Sequence, residues 1–247
     1  MSKVAVVSGG GSGLGAAITA ELTANKYTTV IVGRRSEALA QTKASIGDSV
    51  DTFVADLSIP SQASELSAYI KNKYGGVDVL INNAGGNYEI QSPVDLNSVK
   101  SIAESWTNNF NLNVLTTVLL TEALGPIIRD SGRIVVTSSI AAYRGSGTGS
   151  YAASKSALHP YVYDLSRRFG PRKITVNAIA PGYVSNTEFF GNSLSDVRKE
   201  QLKSEMLTGE FTRPEHIASL VGWLISEKSS QITGQIIQVN GGAEFGR

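Results

Sequence analysis

The feature that most constrains this chain is its regular alternation between short β-rich runs and helix-length segments. Strands are expected at Lys3–Ser8, Thr28–Gly33, Val50–Ala55, Val77–Ile81, Arg133–Thr137, Ile174–Ala180 and Gln235–Val239. Helices are expected over 13–25, Ser36–Ile46 and Ser61–Tyr74, in two segments filling about 97–130, over 150–169, and from Pro214 to Glu227. Pro214 sits just inside its helix, where its missing N–H costs nothing. Strands joined through helices run parallel, and a parallel sheet is covered on both faces. The expected fold is therefore α/β, a single doubly wound parallel sheet of about seven strands with helices on both faces. No linker, repeat or low-complexity segment divides the chain, so one domain over 1–247 is expected. Its irregular or short-helical stretch lies at about 183–212.

Composition narrows the chemistry. At 247 residues and 41% hydrophobic, the chain is long enough for one sizeable core. Lys+Arg total 22 and Asp+Glu 21, a balance that gives no electrostatic case for nucleic acid or an anionic membrane. No apolar run of membrane-spanning length is read. Met1-Ser2-Lys3-Val4 leads into a strand without a signal-peptide layout, so a cytoplasmic location is expected. Cysteine is absent, which excludes disulfides, thiolate catalysis and Cys-rich zinc sites. The two histidines, His159 and His216, stand in helix-like stretches without carboxylates in ligand spacing and are read as packing or surface residues, so no metal site is expected. Acid–base chemistry would then fall to Tyr, Lys, Asp or Glu.

Three motifs take up that role. In Tyr151-Ala-Ala-Ser-Lys155 the i, i+4 spacing puts a phenol and an ammonium on one helical face. A neighbouring cation favours the phenolate and should draw the Tyr151 pKa down, making it an acid or base for a substrate oxygen. After the first strand comes Ser8-Gly-Gly-Gly-Ser-Gly-Leu-Gly15, with Gly9, Gly13 and Gly15 in a G-x-x-x-G-x-G pattern opening a helix. Glycines there allow a tight turn and close approach to a pyrophosphate, and the helix directs its amides and positive dipole end at the anion. The second strand ends in Gly33-Arg34-Arg35, where an acid would bind a ribose 2′-hydroxyl; arginines instead suit a 2′-phosphate, favouring NADP(H) over NAD(H).

With Ala55-Asp56-Leu57, Asn82-Asn83-Ala84-Gly85, Ser138-Ser139 and Pro181-Gly182 in the same order, these motifs resemble the short-chain dehydrogenase/reductase family over nearly the whole chain. The resemblance implies a Rossmann fold and a nicotinamide cofactor that supplies the hydride while the protein handles the proton. It implies that Tyr151 is the general acid in carbonyl reduction and that Lys155 lowers its pKa and binds the nicotinamide ribose. A serine holds the substrate oxygen, and Asn113 anchors a proton-relay water. Cofactor contacts are implied at Gly9, Ser12, Gly13, Leu14, Gly15, Arg34, Arg35, Asp56, Leu57, Asn83, Ala84, Gly85, Pro181, Gly182, Val184 and Thr187, besides Tyr151 and Lys155.

The chain departs from the family pattern at three places. The usual spacing from Tyr151 lands on Ser138, whereas the local pattern Ser-Ser-Ile-Ala points to Ser139, which is taken as the active serine. The threonine after Pro-Gly usually comes one position earlier, at Asn186, so Thr187 requires an insertion. Pro160 should bend or break the catalytic helix beyond Lys155.

Substrate contacts are expected from 86–97, 140–150 and 183–212, with Tyr88, Tyr143, Tyr183, Phe189, Phe190, Met206 and Leu207 as an apolar lining. The stretch from Gly85 to Asn113 is longer than usual for the family. Resemblance to 3-oxoacyl-[acyl-carrier-protein] reductases implies a ketone or thioester substrate. It also marks Arg129 and Arg172 as residues facing an acyl carrier protein. The alternatives are a dehydrogenase of a sugar, polyol or small secondary alcohol, and a cofactor-binding regulator without catalysis. A homotetramer is implied, joined through helices near 97–130 and 150–169, with Tyr161, Tyr163 and Phe169 placed either at that interface or in the core.

Overall fold

A computed structural model describes residues 2–187, 189 and 194–245. The β-branched runs form seven parallel strands: β1 (Val4–Ser8), β2 (Thr28–Gly33), β3 (Val50–Val54), β4 (Val77–Asn82), β5 (Ile128–Thr137), β6 (Thr175–Pro181) and β7 (Ile236–Val239). Their order across the sheet is β3-β2-β1-β4-β5-β6-β7. Register follows the hydrophobic pattern, with Val6 opposite Val30 on one side and Leu80 on the other.

Alternate residues of each strand feed opposite faces. Val6, Val30, Leu80, Ile134 and Val136 pack beneath α3 (Pro60–Tyr74), α6 (Thr116–Leu124) and α9 (Leu158–Phe169). Ala5, Val7, Ile31, Ile81 and Val135 pack beneath α1 (Gly13–Ala24), α2 (Ser36–Ile46) and α11 (Pro214–Leu224). Short helices α4 (Tyr88–Gln91), α5 (Val99–Phe110), α7 (Ala141–Arg144), α8 (Ser150–Ser156) and α10 (Asp196–Ser204) lie in or beside the connections at the carboxyl end of the sheet. The strand order reverses between β1 and β4. A crevice opens at that switch point, where such sheets bind ligands.

Three local differences from the sequence expectation have physical causes. β5 starts at Ile128, not Arg133, because a register shift between Val77 and Val79 and a left-handed Ser131 (φ 63°) let an irregular first half join the sheet. The segment expected to be one helix over 150–169 is two, α8 and α9, separated by a turn at Ala157. Pro160 lacks the N–H that would bond Ser156, and its ring crowds that carbonyl, so the break falls beyond Lys155 as expected. Finally, α5 and α6 are joined by a wider π turn, Asn111–Leu115, and the run Val99–Ile127 is one helical stretch long and apolar enough by composition to cross a bilayer. The polar residues scattered through it hid that length in the sequence. It packs on the sheet instead, through Leu120 and Leu124, and turns Ser105, Asn109 and Asn113 into buried hydrogen bonds.

Candidate active site

The crevice is a cleft of about 1050 Å³ running from the glycine loop to the start of α8. Every position expected to touch a cofactor borders it: Gly9, Ser12 to Gly15, Arg34, Arg35, Asp56, Leu57, Asn83 to Gly85, Tyr151, Lys155, Pro181, Gly182, Val184 and Thr187.

At one end the loop backbone is pressed against its surroundings. A Cβ on Gly15 would lie 2.0 Å from the Gly9 carbonyl oxygen, and one on Gly9 would lie 3.0 Å from Asn83 Nδ2. Asn83 locks the loop to the end of β4, its Nδ2 donating to the Ser8 and Gly9 carbonyls, while Ser8 Oγ accepts from the Asn83 and Ala84 amides. The first turn of α1 has no side-chain cap and no acid, which leaves its positive end to an anion. Arg35 Nη2 donates to Ser12 Oγ at 3.0 Å, and Arg34 lies close enough to Asp56 to help hold that carboxyl below its usual range, behind the larger effect of the Ser58 hydroxyl. Thr187 sits over Gly13 and donates to the Val184 carbonyl at 3.1 Å, folding the segment after β6 back across the loop. Asn186, the alternative position, is exposed in a left-handed conformation.

At the other end stand Ser139, Tyr151 and Lys155, all buried. Tyr151 borders the cleft together with Ser139, and its ring lies 5.8 Å from that of Phe189. Ser138, one residue away, faces elsewhere: its Oγ pairs with His159 Nε2 at 2.8 Å and reaches the Lys155 carbonyl at 3.3 Å. The Lys155 ammonium donates to the Thr137 carbonyl at 2.9 Å and lies 6.0 Å from the Tyr151 ring centroid. Burial pushes the Tyr151 phenol up to about 12, a rise the Ser139 hydroxyl only partly offsets, and the same burial pushes Lys155 down to about 8. The expectation of a depressed Tyr151 pKa is thus reversed, because loss of water outweighs the lowering by the Ser139 hydroxyl.

Asn113 lies behind the cleft. Its Nδ2 donates to the carbonyls of Gly86 and Asn109 and to Ser154 Oγ, and its Oδ1 accepts from the Gly86 amide. A Cβ on Gly85 would strike Asn113 Oδ1 at 2.6 Å, so only glycine lets β4 end this close to the π turn.

A second polar cluster was not read from the sequence. Glu89 Oε1 accepts from the hydroxyls of Ser105, Thr148 and Ser150, and Asn109 Nδ2 donates to Ser150 Oγ at 2.7 Å. It ties α4, within the long Gly85–Asn113 stretch, to the residue preceding Tyr151. Its members are common polar residues scattered over 61 positions, with no local signature.

Of the expected apolar lining, Tyr88, Tyr183 and Phe189 border the cleft. Tyr143 packs on His159 with ring centroids 5.2 Å apart, Met206 is buried beside Gly241, Leu207 is exposed, and Phe190 lies outside the described residues. His216 is on the exposed face of α11. Arg129 pairs with Asp78 and donates to the Tyr74 carbonyl, and Arg172 pairs with Asp130 and donates to the carbonyls of Gly125 and Ile128. Both pin the amino end of β5, the end opposite the cleft.

The comparisons agree with this architecture. A family model described as enoyl-(acyl carrier protein) reductase matches residues 9–244. The chain is 32% identical to dehydrogenase/reductase SDR family member 4 of Sus scrofa, over 98% of this chain and 87% of that protein. It is also 32% identical to the 3-oxoacyl-[acyl-carrier-protein] reductase FabG of Thermotoga maritima, over 97% of each. A solved short-chain dehydrogenase/reductase from Brucella melitensis, a glucose/ribitol dehydrogenase by name, superposes with a TM-score of 0.89 at 27% identity, covering 99% of this chain and 97% of that one. Sheet order, cleft and full-length likeness together make this chain a member of the short-chain dehydrogenase/reductase family, an oxidoreductase that works with a nicotinamide cofactor.

Proposed function

We propose that the chain is an NADP(H)-dependent reductase that converts a ketone to a secondary alcohol, most like a 3-oxoacyl thioester reductase. The observation that carries this reading is the convergence of Ser139, Tyr151 and Lys155 on one glycine-lined cleft, with the Lys155 ammonium 6.0 Å from the phenol ring. The cleft suits a dinucleotide: its glycines leave no room for side chains, its helix end favours a diphosphate, and Arg34 and Arg35 favour a 2′-phosphate over a bare hydroxyl. Asp56 and Leu57 would border the adenine, and Val184 and Thr187 the carboxamide. A bound nicotinamide supplies the hydride.

The protein's own part is to hold and move a proton. Ser139 would donate a hydrogen bond to the carbonyl oxygen, and Tyr151 would protonate that oxygen as it becomes an alkoxide. With the phenol near 12 and the lysine near 8, neutral solution keeps Tyr151 protonated and Lys155 charged, the acid form that reduction requires. Lys155 would then oppose the negative charge left on the phenolate, and Asn113 would hold α8 against the π turn. The segment 183–212 would serve as substrate loop of a single domain over 1–247, in a cytoplasmic homotetramer whose 3-oxoacyl substrate would stay joined to an acyl carrier protein while its ketone is reduced.

A second reading, oxidation of a sugar or polyol, draws on the likeness to the Brucella melitensis protein. Oxidation of NADPH and NADH with an acetoacetyl thioester, set beside a crotonyl thioester and ribitol with the oxidised cofactors, separates them. Tyr151-dependent loss of NADPH with the ketone alone is the expected result. Undiminished activity in Tyr151→Phe would sink the assignment, and turnover with NADH only would overturn the cofactor.

A further inference from the structure

Two arginines border the substrate end of the cleft, and neither has a part in the chemistry above. Arg144 ends α7, whose first turn grows directly out of Ser139, since the Ala142 amide bonds the Ser139 carbonyl at 3.1 Å. Arg198 projects from α10 on the facing wall. Glu205, just past α10, is the one acid at this end among the described lining residues. Its Oε2 accepts from Arg144 Nη1 at 2.7 Å, joining walls that lie 61 residues apart in sequence. Arg198 Nη1 gives a long hydrogen bond to Gln201 at 3.3 Å and meets no carboxylate among the described residues. Among the described residues, this end of the cleft therefore holds two cations against one anion.

We infer that the substrate carries an anionic oxygen group recognised by Arg144 and Arg198, with the Glu205 carboxylate resting on Arg144 until the substrate displaces it. The inference builds on the ketoreductase reading of the same cleft. A guanidinium fork fits a carboxylate or phosphate far better than it fits a neutral chain. Both members of the Arg144–Glu205 pair are about one-third exposed (32% and 35%), and an ion pair of that kind is held weakly enough to be exchanged. Arg144 is followed by glycines at 145, 147 and 149 that all adopt positive φ, positions with no side chain to pack them down. Five residues of helical turn separate it from Ser139, a rise of about 8 Å. That reach suits a carboxylate a few carbons from the carbonyl. The phosphate of a carrier arm, farther along the same cleft mouth, is the other source of the same chemistry.

Isothermal titration with NADP⁺ saturating, so that nothing is reduced, tests this without turnover. The probes are 5-oxohexanoate against its methyl ester, and acetoacetyl-coenzyme A against acetoacetyl-N-acetylcysteamine. The wild-type protein should bind the acid at least tenfold more tightly than the ester. Arg144→Ala and Arg198→Ala should each cut that preference fivefold or more, and Glu205→Gln should raise it. A pair that only braced the loop would make Arg144→Ala and Glu205→Gln act alike, since each breaks the same bond. Preference for coenzyme A alone, dependent on Arg144, would assign the anion to the carrier arm and sustain the inference. Equal binding within both probe pairs, or loss of preference in Glu205→Gln, would overturn it; the Gln variant keeps the test open if Arg144→Ala misfolds. Arg144-dependent acid binding in a protein that reduces no ketone would leave this inference standing and remove the ketoreductase reading. Tyr151-dependent reduction without anion preference would do the reverse.

Discussion

Tyr151 and Lys155 are one helical turn apart, yet burial decides their protonation more than their proximity does. Lys155 has its folded pKa lowered to about 8 from 10.5, so its charged form is disfavoured by the protein interior. The unfolded chain therefore binds more protons between pH 8 and 10.5, and stability rises with pH across that window as the strain of burying the ammonium is lifted. The same titration should set activity. Above about pH 8 the ammonium loses its proton and no longer opposes the phenolate, so ketone reduction should fall on that limb, while Tyr151, near 12, stays protonated. A pH–rate profile checks this against Lys155→Arg, whose guanidinium does not titrate there. A limb that stays near pH 8 in the Arg variant would belong to another group. Gly15 offers a second residue-scale test. A methyl group 2.0 Å from the Gly9 carbonyl oxygen must displace backbone, so Gly15→Ala should weaken NADPH binding tenfold or more in a fluorescence titration. Gly170→Ala, where the new methyl meets nothing within 4 Å, is the matched control.

Among the elements, α8 is held from both ends by polar contacts. At its start Ser150 gives its proton to Glu89, which obliges Ser150 Oγ to accept from Asn109. Farther along, Ser154 Oγ accepts from Asn113 in the π turn. A carboxylate can only accept, so the charge on Glu89 sets the direction of three hydroxyls at once. Glu89→Gln replaces one accepting oxygen with a donor that these hydroxyls must turn to meet. Hydrogen bonds to a charged group are worth about 1.5–3 kcal/mol, so we expect a stability loss of about 1–3 kcal/mol and a several-fold fall in kcat. Thermal unfolding and steady-state kinetics report these directly. NADPH affinity should hold within a factor of two, because the glycine loop is tied to β4 by Asn83 rather than to α4. Unaltered stability and kcat would show that the cluster is ornamental.

For the whole molecule, exposed aromatic and aliphatic surface on α5, the π turn and α9 is where assembly should occur. Trp106 is 42% exposed and stacks on Phe110 at 6.4 Å, with Leu115 and Tyr163 also exposed. The other two candidate interface residues are accounted for within the chain: Phe169 is buried in the core, and the Tyr161 hydroxyl donates to Glu122. Trp106→Asp should convert the proposed tetramer to smaller species in light scattering, while a wild-type monomer would rule out the assembly. Arg129 and Arg172 illustrate the same scale from the other side. Family resemblance marked them for a carrier protein, and within the chain each holds a carboxylate and backbone carbonyls at the amino end of β5.

Local rules were enough for the sequence to determine the alternation, the parallel sheet, the glycine turn, the helix break at Pro160 and the i, i+4 pairing of Tyr151 with Lys155, because each depends on neighbours within a turn or a strand. The tertiary structure alone decided what depends on distant residues and on exclusion of water. It turned Ser138 to His159 and Ser139 to the Ala141 amide at the cleft wall, although the two serines are adjacent and chemically identical. It gathered Glu89, Ser105, Thr148 and Ser150 into one cluster, and it set Arg144 against Glu205 across the cleft mouth. It also reversed the expected shift of Tyr151, since a pKa is fixed by burial as much as by charge, and burial is a property of the folded whole.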